Sequence, residues 1–474
     1  MNLEELYSYA KKYGFVFPSA EIYGGFSGFY DFGPLGAELK RNIESLLWKR
    51  FVTQKNFVVG IDGSIITNPQ VWNASGHTQN FTDPVLVCNK CNSRFKADSF
   101  VEDLTSEPVE DLASFIEEKK PKCPNCGDEL KFLGRTNLMF ETVAGTKDKT
   151  YLRPETAQLI FINFKQVMNS FKIDLPFGIA QLGKSFRNEI SPRDFLFRLR
   201  EFNQFEIEFF VDPEEANNCP FFDKIKDNKI LILSEEDQKN KQKARKVKIK
   251  DLLGKATQWH LYWLWEFYQF FVDLGIKPEN LRLREHLKEE LAHYAKACFD
   301  IEYKFPFGWK EIHGCAYRSD FDLKQHQTFS KTKMEVFDQK KNKRYIPHVI
   351  EPSQGIERAF LAIMFEAIKD DKLMISKQLA PIKVGILPVF NKDDFVGKAN
   401  ELFEEITNKG YSAMIDVRGP FVKRYDYHNK IGTFLTITLD YQTLEDGSFV
   451  IKFRDEDKLV RAKDVNEVFK LLEN

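Results

Sequence analysis

The sequence predicts an α+β protein: a large unit of antiparallel strands with flanking helices, followed by a smaller α/β unit. Three observations carry that expectation. Phe205, Ile207 and Phe209 alternate with Glu206 and Glu208, the period of two of a half-buried antiparallel strand. Leu39, Ile43, Leu46, Leu47 and Phe51 recur at helical spacing with charges between them. The last stretch of the chain alternates strand-like and helix-like segments, which implies βαβ units.

In chain order, a glycine-rich loop from Tyr23 to Gly28 comes before Gly33 and Pro34, which suit a turn feeding a helix N-terminus. Residues 84–133 read as an insertion that carries two cysteine pairs. Between Phe177 and Val211, strand-like segments flank a charged loop. A polar stretch follows over 212–258, and six of the ten residues in 241–250 are basic. It reads either as a solvated surface insertion or as a contact for a polyanion. The apolar run 261–272 is interrupted by Glu266 and Gln269 and falls short of the ~20 residues that span a bilayer, so it reads as a buried aromatic helix.

The second unit opens with the apolar run 382–389. A helix with Ala399, Leu402, Phe403 and Ile406 on its apolar face comes next, with Gly410 at its C-cap. Residues 411–417, a helix-like stretch, a strand over 433–439, a turn at 445–448, a strand over 449–453 and a last helix complete it. The expected division is 1–376 and 377–474.

Composition narrows the function classes. In 474 residues, 43% are hydrophobic and 29% charged, which excludes a disordered or disulfide-stapled chain. The net charge of −1 excludes a uniformly basic nucleic-acid coat and leaves local basic patches open. The first residues lack the basic-then-apolar pattern of an export signal, and the expectation is a cytoplasmic protein with no membrane span. Four of the seven cysteines form Cys88-x-x-Cys91 and Cys123-x-x-Cys126, with 31 residues between the pairs. That spacing suits a four-thiolate structural Zn²⁺, with free thiols as the alternative. Cys219, Cys298 and Cys315 read as buried or incidental, and His286 and His293 lack metalloprotease spacing.

The strongest local signal is Phe186-Arg187-Asn188-Glu189, a loop, and then Phe197 through Glu206. Two arginine-bearing strands joined by a loop make a clamp for a polyphosphate, because guanidinium forks match phosphate oxygens. Phe202 offers a flat face for a base. Further on, Glu351 to Arg358 leads into an apolar helix; Gly355 lets backbone approach a ligand, and Arg358 could reach the same nucleotide. Taken singly, the hairpin reads first as a surface ion-pair ladder and each acid as a surface salt bridge.

Taken in order, the Gly33-Pro34 helix entry, Phe-Arg-x-Glu on a strand and Gly-x-x-Arg opening a helix resemble the three motifs of class II aminoacyl-tRNA synthetases. The runs Phe15 to Gly25, Asn137 to Phe140, Leu152 to Gln158 and Phe305 to Trp309 are similar to the homodimeric glycyl-tRNA synthetases, a likeness that extends from about residue 10 to the C-terminus. Two stretches, 212–258 and Trp309 to Gly314, look closer to archaeal and eukaryotic members. Another class II ligase and a non-catalytic nucleic-acid binder of the same fold are the competing readings. The presence of Arg187, Glu189, Arg358 and Glu155 argues against the second.

The resemblance implies a class II antiparallel sheet, a zinc-type insertion and an anticodon-binding domain. It implies activation of glycine by ATP to glycyl-adenylate, then transfer to the 3′ end of tRNA(Gly). A carboxylate attacking a phosphate brings two anions together, so catalysis is mostly positioning and charge neutralisation. Arg187 would hold the α-phosphate, Phe202 and Arg358 would sandwich the adenine, and Glu189 would contact its edge. Asn188, Phe197, Arg198, Leu199, Arg200, Glu201, Gly355, Ile356 and Glu357 would complete the ATP site, and Glu311 with Ile312 would sit at an ATP and Mg²⁺ position. Glu155, Glu206 and Glu351 would receive the glycine ammonium, with Ser353 near the α-carbon and Arg318 and Lys96 as further contacts. Asn203, Gln204, Phe205, Pro352 and Gln354 belong to the same implied glycine segments. A homodimer would bury the face of the 37–51 helix. Arg418, Lys423, Arg424 and Lys430 would meet tRNA phosphates.

Overall fold

The computed structural model describes residues 1–97, 100–101, 111–292, 294–456 and 458–473. Its centre is a nine-stranded sheet. In spatial order the strands are Arg245–Lys248, Lys229–Leu233, Leu281–Glu285, Ala297–Phe305, Gly308–Ser319, His348–Gly355, Glu201–Val211, Phe177–Phe186 and Val58–Ile61. Neighbours run antiparallel except Lys229–Leu233 beside Leu281–Glu285 and Val58–Ile61 beside Phe177–Phe186. The antiparallel sheet with flanking helices that the sequence predicts is the fold found.

The period of two in Glu201–Val211 sorts its side chains onto two faces. Phe205, Ile207 and Phe209 are fully buried in the main core, where Phe209 packs 4.6 Å from Trp259 of the helix Gln258–Asp273. Gln204, Glu206 and Glu208 point to the other face, and Phe210 closes one end of it against Phe164 of the helix Ala157–Phe171. The polar face is therefore the floor of a cleft. Glu206 and Glu208 are 2% and 0% exposed, burial that carboxylates accept only where something compensates them.

Pro34 starts the helix Pro34–Trp48, and Gly36 lets it lie against the chain: a Cβ there would stand 1.8 Å from Phe15 O. Leu39, Ile43, Leu47 and Phe51 are fully buried, with Phe51 stacked 4.0 Å from Phe267. The apolar face of the 37–51 segment fills the chain's own core, which leaves Arg41, Ser45 and Lys49 outward.

The basic run is a solvated surface, with Lys241, Lys243, Arg245, Lys246 and Lys250 exposed, but an ordered one. Lys229–Leu233 and Arg245–Lys248 extend the sheet, with Val247 and Ile249 buried between basic neighbours. Lys248 and Lys250 lie 3.2 and 2.9 Å from Asp227, and Arg245 lies 3.3 Å from Asp237. The density of lysines masks an ordinary alternating edge strand.

Within 84–133, Arg94–Lys96, Thr82–Cys88 and Leu130–Asn137 form a three-stranded sheet beside the helix Leu112–Lys119. Leu86, Cys88, Ala97, Ile116, Cys123 and Leu130 make its small core. Near the C-terminus, Ala413–Ile415, Val384–Pro388, Leu435–Leu439, Phe449–Phe453 and Leu459–Ala462 form a five-stranded mixed sheet. The helices Asp393–Asn408 and Val465–Glu473 bury Ala399, Leu402, Val468 and Phe469 against it. The expected turn at 445–448 ends a short helix, Tyr441–Asp446, closed by Gly447 at φ 77°.

Candidate active site and cysteine cluster

One cleft on the polar face of the large sheet gathers residues from four separate stretches of sequence. Its lining includes Arg187, Glu189, Phe197, Arg198, Leu199, Phe202, Gln204, Glu311, Ser353, Gly355, Glu357 and Arg358. The antiparallel pairing of Phe177–Phe186 with Glu201–Val211, Phe202 opposite Ser185, throws the loop between them over the cleft mouth. Arg187 Nε donates to Pro154 O at 3.0 Å, and its guanidinium lies 5.4 Å from the Phe202 ring. Arg358, in the first turn of Ile356–Ala367, sits 4.4 Å from the Phe197 ring and 3.0 Å from Glu311 Oε2. Glu189 pairs with Arg198 at 3.4 Å. Two guanidinium groups, two aromatic faces and flanking carboxylates thus share one cavity. That set suits a purine carrying phosphates.

Behind the arginines lies a pocket of buried acids. Arg153 donates to Lys184 O and Gly63 O, each at 2.6 Å, and this anchors the loop that carries Glu155. Glu206 Oε2 accepts from Thr156 N at 2.9 Å, and its Oε1 accepts from Ser353 Oγ at 2.9 Å and Gln204 Nε2 at 2.6 Å. Glu351 accepts from Arg318 at 2.7 Å, while Arg318 also grips Asp322 with two bonds of 2.8 Å. His77 Nε2 stands 3.4 Å from Glu155.

Burial and the nearness of Glu155 raise the Glu206 carboxyl, against hydrogen bonds from Thr156 and Ser353 and the charge of Arg187. Burial pushes Glu351 up to about 8; Arg318 opposes this, and repulsion from Glu206 and Glu155 adds to it. Burial also works to raise Glu155, but His77 and Arg318 outweigh it and hold this acid below the usual carboxylate range. So many acids facing one arginine leave the pocket short of positive charge. A ligand ammonium would supply it.

Several predicted residues point elsewhere. Phe205, Ile312 and Ile356 are buried in the core, so Ile312 can reach the cleft only through its backbone. Gln354 turns to Ile312 O at 2.8 Å, and Asn203 Nδ2 turns to Glu44 at 2.9 Å. Glu201 is paired with Lys184, and Arg200 binds Ser27 O and Glu189 O. Asn188 is pinned by its backbone N–H to Leu138 O, and Pro352 is buried in its strand. Lys96 belongs to the small sheet and pairs with Asp83 at 2.8 Å. His293 lies outside the described residues.

Sequence reasoning missed His77, Gln158, Glu208 and Asp322. Gln158 Nε2 bridges Glu155 at 2.9 Å and Asp322 at 3.0 Å. Asp322 stands four residues after Arg318, a spacing that could have flagged it. For Glu208 the alternation is legible in the sequence, whereas the cover over its face is not.

Cys88, Cys91, Cys123 and Cys126 bring their sulfurs within 4.8 Å of one another. Cys88 and Cys126 are 3.4 Å apart, and Cys91 and Cys123 are 3.6 Å apart. Four thiols so placed fit a tetrahedral Zn²⁺, whose bonds of ~2.3 Å demand such separations. In the C-terminal unit Arg424 is 5% exposed and donates to Pro388 O and Asp416 O, so it is a structural residue and is not free for phosphate. Lys430 pairs with Asp426 and Asp371, whereas Arg418 and Lys423 are exposed.

Residues 140–367 match the tRNA synthetase class II core domain (G, H, P, S and T), and residues 383–474 match an anticodon binding domain. The glycine–tRNA ligase of Clostridium acetobutylicum is 41% identical over 497 residues, covering 100% of this chain and 98% of the relative. That of Geobacillus kaustophilus is 39% identical over 485 residues, covering 97% and 96%. The crystal structure of prolyl-tRNA synthetase from Cryptosporidium parvum, complexed with L-proline and AMP, shares the fold at a TM-score of 0.58 and 14% identity, over 99% of this chain and 74% of that one.

Proposed function

The chain belongs to the glycine–tRNA ligase family of class II synthetases, and on that premise we propose how its cleft performs the reaction. The enzyme activates glycine with ATP and transfers it to tRNA. The observation that carries the assignment of residues is the position of Arg187. It donates to Pro154 O beside Glu155, lies 5.4 Å from the Phe202 ring and lines one cavity with Glu311, Ser353 and Arg358, where the two halves of the cleft meet.

The adenine lies between Phe202 and Arg358, with Glu189 at its edge. The glycine ammonium enters among Glu155, Glu206 and Glu351, which draws its carboxylate toward Arg187. Arg187 then neutralises charge on the α-phosphate as the carboxylate attacks. Preorganised donors of this kind supply the larger part of such catalysis. Ser353, held by Glu206, walls the α-carbon and excludes a larger side chain by overlap, the easier direction of discrimination. Glu311 offers a carboxylate oxygen at the phosphate end, the donor type Mg²⁺ takes together with substrate oxygens, and bound Mg²⁺ would supply charge neutralisation there.

The four cysteines hold a structural Zn²⁺ that orders the insertion. The seven cysteines are free, which fits a reducing, cytoplasmic setting; no helix among the described residues is long and apolar enough to cross a membrane. The C-terminal unit reads the anticodon with Arg418 and Lys423 near the phosphates. The chain dimerises through the outward side of Pro34–Trp48, where Arg41, Ser45, Trp48 and Leu182 line a shallow groove. Sedimentation at micromolar concentration then gives a dimer, and a monomer there removes this part of the proposal.

Amino-acid-dependent ATP–pyrophosphate exchange across all twenty amino acids tests the site. Exchange with glycine alone is expected; exchange with proline, threonine or serine instead points to a different acid-pocket ligand.

A further inference from the structure

A second cluster of ligating side chains lies on the large sheet, and glycine activation uses none of its members. Leu281–Glu285 pairs antiparallel with Ala297–Phe305, Arg284 opposite Asp300. The next backbone bond, His286 N to Cys298 O at 3.0 Å, continues that pairing and brings His286 opposite Cys298. Cys298 and Asp300, two residues apart on one strand, point to the same face. A ring nitrogen of His286, the Cys298 sulfur and an Asp300 carboxylate oxygen all lie within 4.8 Å of one another. Backbone pairing sets this arrangement, so little side-chain freedom remains to be lost when a ligand binds.

The partners these groups have now are consistent with an absent cation. His286 Nε2 and Asp300 Oδ2 are 2.7 Å apart and share a proton that a metal ion can replace. The Cys298 thiol makes no hydrogen bond among the described residues. Arg284 opposes a cation from 3.9 Å of Asp300, but its guanidinium is already bonded to both oxygens of Glu290, at 2.7 and 2.8 Å. Across the next strand, a side chain on Gly314 would meet Asp300 Oδ1 at 3.7 Å and Glu311 Oε1 at 3.8 Å, so the Glu311 carboxylate adds negative charge to the same neighbourhood.

We propose that His286, Cys298 and Asp300 bind one divalent cation of the Zn²⁺ type, separate from the four-cysteine site. One nitrogen, one sulfur and one oxygen donor select a borderline-soft ion and disfavour Mg²⁺, which wants oxygen alone. Three protein ligands leave a fourth tetrahedral position open to water or to a substrate oxygen. With metal–ligand bonds of ~2.0–2.3 Å, the donors need only close to about 3.3–3.8 Å of each other. That the ion would stand beside the nucleotide rests on the reading of Glu311 as an ATP position; the binding site itself does not.

The test uses the full chain, stripped of metal under reducing conditions, reloaded with Co²⁺ and dialysed. Cobalt per chain and the thiolate-to-cobalt absorption are the readouts. Wild type is expected to hold one equivalent more than Cys298→Ala and Asp300→Asn, while Cys123→Ser keeps that extra equivalent and loses the other. Should Cys298→Ala fold poorly, the half-exposed position serves as His286→Asn, with the same loss expected. Equal cobalt content and identical spectra in wild type and the folded variants overturn the proposal. Glycine-dependent exchange, measured on the same samples, reports separately on the ATP reading.

Discussion

Arg318 Nη1 donates to Glu351 Oε1 at 2.7 Å with both side chains almost wholly buried. The same guanidinium holds Asp322, so one cation compensates two acids at the back of the pocket. Removing one partner of a buried ion pair costs ~3–5 kcal/mol, because the other charge is left stranded. Arg318→Ala is therefore expected to lower the denaturation midpoint markedly and to abolish glycine-dependent exchange. A wild-type midpoint for this variant means that the pair does not hold the pocket together.

Arg187 tests the chemistry apart from the fold. It is only part-buried, and its Nε donates to Pro154 O, so Arg187→Ala breaks no close ion pair among the described residues. Loss of a donor aimed at developing phosphate charge costs on the order of a hundredfold or more in rate. Adenylate formation should fall at least that far, while tRNA binding, proposed to rest on the C-terminal unit, stays nearly unchanged. Near-normal pyrophosphate exchange by the variant counts directly against the assigned role.

The acid pocket predicts a pH dependence with a definite sign. Glu351 titrates near 8, well above the ~4.3 of a free Glu in the unfolded chain. The folded state therefore binds the extra proton, and this group's contribution to stability is full below about pH 4 and fades as pH rises toward 8. A bound ammonium reverses the trend, because it favours the ionised carboxylate. Stabilisation by glycine should thus grow between pH 6 and pH 8. Thermal shifts at fixed glycine follow it, and Glu351→Gln should flatten the slope. A glycine effect that shrinks over that range removes Glu351 from the ammonium site.

Much of this cleft is legible in the sequence, for a physical reason. Strand period and helix caps are local, so Glu201–Val211 and Pro34–Trp48 announce themselves through Phe205, Ile207, Leu39 and Ile43. What covers a face is not local. Glu208 is fully buried beside Arg318, Glu351 and Asp322, neighbours that come from distant stretches of the chain. The apolar face of the 37–51 segment is filled by Phe267 and its neighbours on a helix about 200 residues away, which no local pattern announces. Arg424 read as a phosphate ligand because charge is visible in sequence, whereas the carbonyls of Pro388 and Asp416 that consume it are not.

Hydrogen bonds from the small sheet reach the edge of the acid pocket, which makes a coupling between the two measurable. Asn137, at the end of the small sheet, donates to His77 O at 3.0 Å and Thr78 O at 3.1 Å, and His77 faces Glu155. A metal that ordered the small sheet would therefore also fix the segment behind one of the three acids proposed to hold the ammonium. Cys123→Ser, or chelation of the wild type, is expected to open the insertion to limited proteolysis. Loss of one such anchoring bond is worth about 1 kcal/mol, or roughly a fivefold change in an equilibrium constant. The KM for glycine should rise by about that factor and the KM for ATP by less: Asn188 ties the ATP loop to Leu138 O, but the side chains of Arg187 and Arg358 hang on Pro154 O and Phe197 O. Equal rises in both constants would instead locate the effect in global stability, and the link through His77 would have to be given up.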